Sequence, residues 1–323
     1  MRQIDYSFIA IVLAALLLAL GAVVFPLWLL STIVNIIAKA LVVIGVILLM
    51  RGGLVSFGQG LYYCIGGYVV GLGGQLLGIT DIVLLLVFAA IIGIVSGAVI
   101  GLLMSRFREI FFAMFSLAIA MILYGMLSQS QALGSTDGFN VARVTALGIE
   151  LTAGQASLLI YLVACALAAI LSILTHIYYK SEVGFACLAA GENEVRLQYL
   201  GATPNRIFYG TYIIAATLAA LGGALTAINY GHVGPNMTYW TQSGEFIFIA
   251  LLGGSGSVMA AFVGSTLFEF VRTYALEFAP DAWQLILGTV LVLIIFFLPD
   301  GLWSLIQPAR SSARIKRRGK APS

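Results

Sequence analysis

Four charged residues stand in stretches that are otherwise apolar: Lys39, Glu245, Glu269 and Arg272. At the centre of a membrane helix each would cost about 2.5–3.5 kcal/mol, so such a residue faces a bundle interior or a cavity, where it meets a counter-ion, a solute or a proton. Glu269 and Arg272 are three apart, which on a helix predicts an intrahelical pair near the outer end of its span. Lys39 has no acidic neighbour in sequence and is predicted to snorkel, to pair with another helix or to line a pathway. So few buried carboxylates argue against a proton or ion relay. Other chemistries lack their residues. There is no Gly-x-x-x-x-Gly-Lys-Ser/Thr phosphate loop, so ATP is not held here by that route. No Gly-x-Ser-x-Gly elbow stands with a partner histidine, so no catalytic residue is assigned. His176 and His232 lack companions at ligand spacing, and Cys64, Cys165 and Cys187 are too scattered for a metal centre or a disulfide framework.

What remains is passage through the membrane and its control. Arg51-Gly52-Gly53 with Ser56-Phe57-Gly58-Gln59-Gly60, and Gly253-Gly254-Ser255-Gly256-Ser257, interrupt two apolar segments. Paired glycine-interrupted segments point to a transport pathway, because irregular backbone at membrane depth is tolerated only against protein or a water-filled cavity. The expected pathway residues are therefore Ser56, Gly58, Gln59, Gly254, Gly256 and Lys39; the competing reading is that these glycines only allow close helix packing. The cluster Gly134 to Asn140 reads as a turn, with Asp137 and Asn140 as candidates for an outer gate.

The elements that hold these residues are set by composition. The chain is 61% hydrophobic and 9% charged, with a mean hydropathy of +1.07, which defines an all-α polytopic membrane protein. Apolar segments are expected at about 7–24, 32–50, 55–78, 82–104, 110–130, 155–178, 207–228, 245–253, 258–274 and 282–298: about ten, including a broken or re-entrant hairpin at 245–274. No cleavable signal is recognised, and 7–24 reads as the first span. With both termini cytoplasmic, thirteen of the sixteen Lys and Arg residues fall inside, as the positive-inside rule demands. Residues 1–306 then form the membrane domain and 307–323 a basic tail whose charge fixes topology near anionic lipid.

The longest polar interruption with firm boundaries, 180–206, reads as a helical elbow on the cytoplasmic side. Ser181 caps a first short helix, Gly191 breaks it, Glu192 and Glu194 fall in the first turn of a second, and Gly201 stops that one. Thr203 and Pro204 then open the next span. Such an elbow is what a membrane subunit presents to a soluble partner; the alternative is a plain connector.

In this order and spacing, GLVSFGQGLYYCIGGY (53–68), FREIFFAMFSLAIA (107–120), GSTDGFN (134–140), SEVGFACLAAGENEVRLQYLG (181–201), IALLGGSGSVMAAFVG (249–264) and FFLPDGLWSLI (296–306) resemble the LivM-type permeases of bacterial branched-chain amino acid ABC importers. The resemblance implies a permease of the inner membrane, with no cofactor of its own and ATP bound by its partners. Those partners are a second, LivH-like permease, two cytoplasmic ATP-binding subunits and a periplasmic or extracellular substrate-binding protein; nucleic acid is not among them. It implies that Gly191, Glu192, Asn193, Glu194 and Gly201 form the segment that docks on an ATPase. Phe185, Gly191 and Ala260-Ala261 depart from the family pattern, which usually has arginines near the first two and Gly-Pro near the third. The family also includes permeases for urea, short amides and aromatic acids. The rival class is a stand-alone facilitator, against which the structured elbow argues.

Overall fold

A computed structural model describes residue 21 and residues 25–145, 152–298 and 301–305. The expected span at 7–24, apart from Gly21, and the tail at 307–323 lie outside the described residues.

Eleven α-helices are described, and the only strands among these residues are two residues long. Helix α1 (Leu27–Arg51) follows Pro26 and ends where the Gly52 N–H bonds back to Leu49; at about 1.5 Å per residue its 25 residues are long enough to cross a bilayer. Next come α2 (Gln59–Leu76), α3 (Ile82–Met104), α4 (Glu109–Gln129) and α5 (Ala153–Lys180). The Asp81 carboxylate caps α3 by accepting from Val83 and Leu84 N–H at 2.9 and 3.2 Å. Two short helices, α6 (Glu182–Glu192) and α7 (Glu194–Tyr199), lead into α8 (Pro204–Tyr230), then α9 (Trp240–Gly253), α10 (Val258–Phe278) and α11 (Trp283–Phe297).

Helices α1 and α8 form the axis of the bundle. In each, 83% of the most apolar stretch is buried, against 33% in α3 and 22% in α4, so α1 and α8 are sheathed by protein while α3 and α4 show apolar faces outward. α2 crosses α8 at Gly66 and Gly223, where a side chain would run into the Ala220 and Tyr63 backbones. Glycine there lets two helices approach to backbone contact, and dispersion over that contact replaces the hydrophobic drive that lipid does not supply.

α2 starts later than the sequence suggests. Residues 54–58 are not helical, and their backbone is held by serines: Phe57 N–H donates to Ser116 Oγ at 3.0 Å and Gly58 N–H to Ser56 Oγ at 3.2 Å. One turn on, Gly60 N–H donates to Ser243 Oγ at 3.0 Å. Conversely, α9 begins five residues earlier than expected, taking in Trp240-Thr-Gln-Ser-Gly. α9 and α10 meet at 114° across the break 254–257, where Gly254 has φ 91 and Ser257 caps the new helix through Met259 N–H. Among the described residues five helices are long and apolar enough to cross, six if this bent pair counts as one. The all-α polytopic class stands on these helices; the expected ten segments exceed what they establish.

The bundle has two ends. At the elbow end, Arg51, Arg108 and α6–α7 gather. At the loop end, Phe139–Asn140 pairs antiparallel with His232–Val233, and Asp81 bridges Thr145.

Candidate functional site: the elbow and a charged cavity

Two of the expected sites become concrete places. In the elbow, Ser181 caps α6 by accepting from Gly184 N–H at 3.2 Å, as its position implies. The break, however, falls at Asn193 and not at Gly191: Asn193 is extended (φ −164, ψ 102) and caps α7 by accepting from Arg196 N–H at 2.9 Å. Glu192 is therefore the last residue of α6, and only Glu194 lies in a first turn. Gly191 has another task. A Cβ there would lie 2.8 Å from Arg51 O and from Gly52 C, so α6 seats directly on the end of α1. Gly201 does stop the chain, in the left-handed region at φ 84. Pro204 opens α8 as expected, although Thr203 makes no side-chain cap.

Glu194 is turned inward. The guanidinium of Arg108, from the α3–α4 connection, pairs with it and lies 4.3 Å over the Phe208 ring. The same group donates to Asn205 Oδ1 and Ser105 O at 2.5 Å each, and to Phe107 O at 2.8 Å. Cys187 is buried under α6 beside Thr211, and that burial pushes its thiol pKa up, which keeps it protonated and unreactive. Outward, the elbow shows Phe185 at 59%, Tyr199 at 87% and Leu200 at 79% exposure, with Glu192 among them.

The second place is a cavity of about 440 Å³ between the loop end and the middle of the bundle. Lys39, Tyr63, Thr226 and Arg272 line its floor and Thr136, Asp137, His232 and Asn236 its mouth. The four charged residues noted in the sequence meet at this floor, but in different pairs from the intrahelical one expected. Lys39 Nζ donates to Glu269 Oε2 at 2.7 Å, joining α1 to α10. Arg272 Nη1 comes to 3.9 Å from Glu245 Oε2, joining α10 to α9, and Gln242 Nε2 donates to the same Glu245 oxygen at 3.3 Å. The cause is burial: Lys39 is 5% and Glu269 9% exposed, and an unpaired ammonium so deeply buried costs far more than a loosened pair at the partly exposed Arg272. Arg272 instead stacks over the Trp283 ring at 5.6 Å.

The remaining pathway candidates do not converge on this cavity. Ser56, Gly58 and Gln59 lie at the start of α2, where Ser56 caps the backbone and Gln59 is fully buried with neither amide atom hydrogen-bonded. Gly254 and Gly256 face the 301–305 segment, against Gly301 and Trp303. Only Lys39 reaches the cavity. Of the outer-loop pair, Asp137 sits at its mouth, while Asn140 belongs to the small ladder, with its side-chain oxygen 3.4 Å from His232 Nδ1. Sequence reasoning passed over Tyr63, Gln242 and Tyr230, which lack any sequence signal in apolar surroundings. Arg272 is hidden in the sequence by its helical spacing from Glu269; the available signal is that Glu245, on a different segment, has no partner of its own. Among the described residues no three His, Cys, Asp or Glu side chains gather as a metal ion would require.

A helical bundle with membrane-length apolar helices, interrupted helices, a cavity that holds charged side chains near one end and a structured elbow at the other is the build of a membrane transport component. The chain belongs to the family described as the branched-chain amino acid transport system / permease component, whose model matches residues 28–295. It is 25% identical over 278 residues to the high-affinity branched-chain amino acid transport system permease protein LivM of Salmonella typhimurium, covering 79% of this chain and 65% of that one. It is 26% identical to the LivM protein of Escherichia coli K12 over the same shares of the two chains. With the high-affinity branched-chain amino acid transport system permease protein LivH of the same organism, identity is 26% over 123 residues, 38% of this chain and 40% of that one. The match thus spans 65% of the length of the LivM relatives. No solved structure matches the chain significantly.

Proposed function

We infer that the chain is the transmembrane permease subunit of an ATP-driven ABC importer in a bacterial inner membrane, carrying branched-chain or related amino acids. Family membership supports the permease role, and the observation that carries the coupling is the seating of Gly191 on Arg51–Gly53. An elbow clamped to the end of the central helix transmits force; a slack connector does not. On this reading a second, LivH-like permease completes the pathway, one of two ATP-binding subunits docks on the exposed elbow face around Phe185, Glu192 and Tyr199, and a substrate-binding protein delivers from the loop end. The basic ends Arg51, Arg108, Lys180 and Arg206 support a cytoplasmic elbow end by the positive-inside rule. The count of about ten segments, with 7–24 as the first and the 114° bend as a re-entrant hairpin, is part of the same proposal.

ATP closure of the ATPase pair pushes the elbow, and the loaded binding protein favours the opposite state; each ligand biases a bistable bundle. The test is uptake of radiolabelled leucine and urea into proteoliposomes holding the chain, its co-purifying subunits and the binding protein, with and without ATP in the compartment that bathes the elbow. ATP-dependent leucine uptake is expected. ATP-dependent urea uptake alone would keep the importer and replace its substrate, and uptake indifferent to ATP would overturn the importer in favour of a facilitator.

A further inference from the structure

The cavity is electrically polar along its length. Its floor presents two cations, Lys39 and Arg272, while the carboxylates that balance them, Glu269 and Glu245, stand behind and are absent from the lining. Its mouth presents a carboxylate, Asp137, which is exposed and touched only by the Thr136 hydroxyl at 3.3 Å among described hydrogen bonds. Lys39 is committed to Glu269 at 2.7 Å. Arg272, held no closer than 3.9 Å by Glu245, keeps guanidinium donors that can close on an incoming carboxylate, the geometry for which arginine is suited. Between the ends lie Tyr230 and Met237, an amphipathic and a soft surface that tolerate a variable apolar side chain.

We propose that this cavity is a transit site on the chain itself for one zwitterion, an α-amino acid that enters carboxylate first, with Arg272 taking the carboxylate and Asp137 the ammonium. The assignment rests on the importer reading and adds to it a selection step inside the membrane. A neutral amide would engage neither end; a plain organic acid would engage Arg272 alone and leave Asp137 repelling it. A volume of about 440 Å³ leaves room for a medium-sized apolar side chain with some water.

The test uses the full chain with its co-purifying subunits in nanodiscs, with Thr136→Cys at the mouth as a reporter. Cys64, Cys165 and Cys187 are all buried, so a polar maleimide reads the new thiol. Millimolar leucine is expected to slow labelling roughly three- to tenfold. Urea, 4-methylpentanoate (the same skeleton without the ammonium) and 3-methylbutylamine (without the carboxylate) should each do markedly less. In this background Arg272→Gln should reduce protection by leucine to that given by 3-methylbutylamine, and Asp137→Asn to that given by 4-methylpentanoate, with Arg272→Lys intermediate. Asp137→Asn lies on the surface and leaves the bundle intact, so it keeps the test readable where Arg272→Gln fails to insert. Equal protection by urea or by 4-methylpentanoate, protection by leucine unchanged in either neutral variant, or no protection by any solute would each overturn the site. ATP-dependent uptake in the proteoliposome assay would survive all three results, so the two readings fail separately.

Discussion

Removing one member of the Lys39–Glu269 pair leaves the other charged at mid-depth. Glu269→Gln keeps the volume and an oxygen but withdraws the charge, stranding an ammonium that is 5% exposed. The Phe268 ring, 5.2 Å from Lys39 Nζ, offers a face, and Glu245 lies on the neighbouring helix, already engaged by Gln242 and Arg272. Breaking a buried pair in this way costs about 3–5 kcal/mol, whereas replacing both members by apolar groups of like volume is near neutral or stabilising. The expected order is therefore wild type close to Lys39→Met/Glu269→Leu, both well above Glu269→Gln and Lys39→Met alone. Reversible unfolding by SDS titration reads it, with helical content and insertion checked for each variant. The double mutant should recover at least about 2 kcal/mol relative to the worse single one. A Glu269→Gln variant within about 0.5 kcal/mol of wild type would refute the reasoning, because it would mean that water already reaches the pair and that the floor is solvated.

Gly191→Val forces a branched side chain into space only 2.8 Å from Arg51 O and should cost about 1–3 kcal/mol by overpacking; it should abolish ATP-dependent uptake while the chain still inserts, and normal uptake would free the elbow from α1. Arg108→Ala and Glu194→Ala should be non-additive by about 0.5–3 kcal/mol in thermal unfolding, since Arg108 is Glu194's partner; additive effects would show that the pair carries no stability. Of the charge reversals, Glu194→Arg should uncouple more severely than Glu192→Arg, because it sets a cation against Arg108 as well as altering the elbow face; equal effects would assign the loss to docking alone. Burial raises the Cys187 thiol pKa, so the folded protein holds that proton longer than the unfolded one. Its contribution to stability is complete below the unfolded thiol pKa of about 8.5 and declines as pH rises through the folded value. Maleimide should therefore react at Cys187 only on unfolding, and labelling of the folded chain at pH 8 would contradict its burial.

Much of the bundle was legible because the hydrophobic requirement is one-dimensional: a span needs about twenty apolar residues, and the chain shows its breaks openly. The elbow was legible through Ser181 and Pro204, whose roles are local. Misreadings came where a contact is long-range. Gly191 looks like a helix breaker in sequence, yet glycine is also what a backbone-to-backbone contact requires, and only the approach of Arg51 distinguishes the two. Glu269 and Arg272 satisfy the helical spacing for a pair, but spacing sets only what can meet; the deeper burial of Lys39 decides what does. Gly254 and Gly256 were expected on the pathway because glycine at a break suits both a cavity wall and a tight turn; here they pack beneath 301–305, a segment whose approach no local pattern announces.

The two candidate places share one rigid element. α1 ends at Arg51 against Gly191 and carries Lys39 twelve residues earlier in its sequence, about 18 Å along a continuous helix at 1.5 Å per residue. Over that length α1 is buried on nearly every side, so it has little freedom to bend and must slide or tilt as a rod. A displacement of α6 by an ATPase would then reach the Lys39–Glu269 contact with little loss. A shift of 1–2 Å, the scale of helix movements at switching interfaces, would stretch the 2.7 Å pair beyond hydrogen-bond range. Lys39, which lines the cavity while Glu269 does not, would then stand at the floor with its counter-ion withdrawn, so the charge that a carboxylate beside Arg272 meets there depends on the position of the elbow. On the importer reading proposed above, a push on the elbow would therefore change how firmly the floor holds the anionic end of the solute, and leucine protection of the Thr136→Cys thiol should differ with and without ATP; protection indifferent to ATP would disconnect the two places.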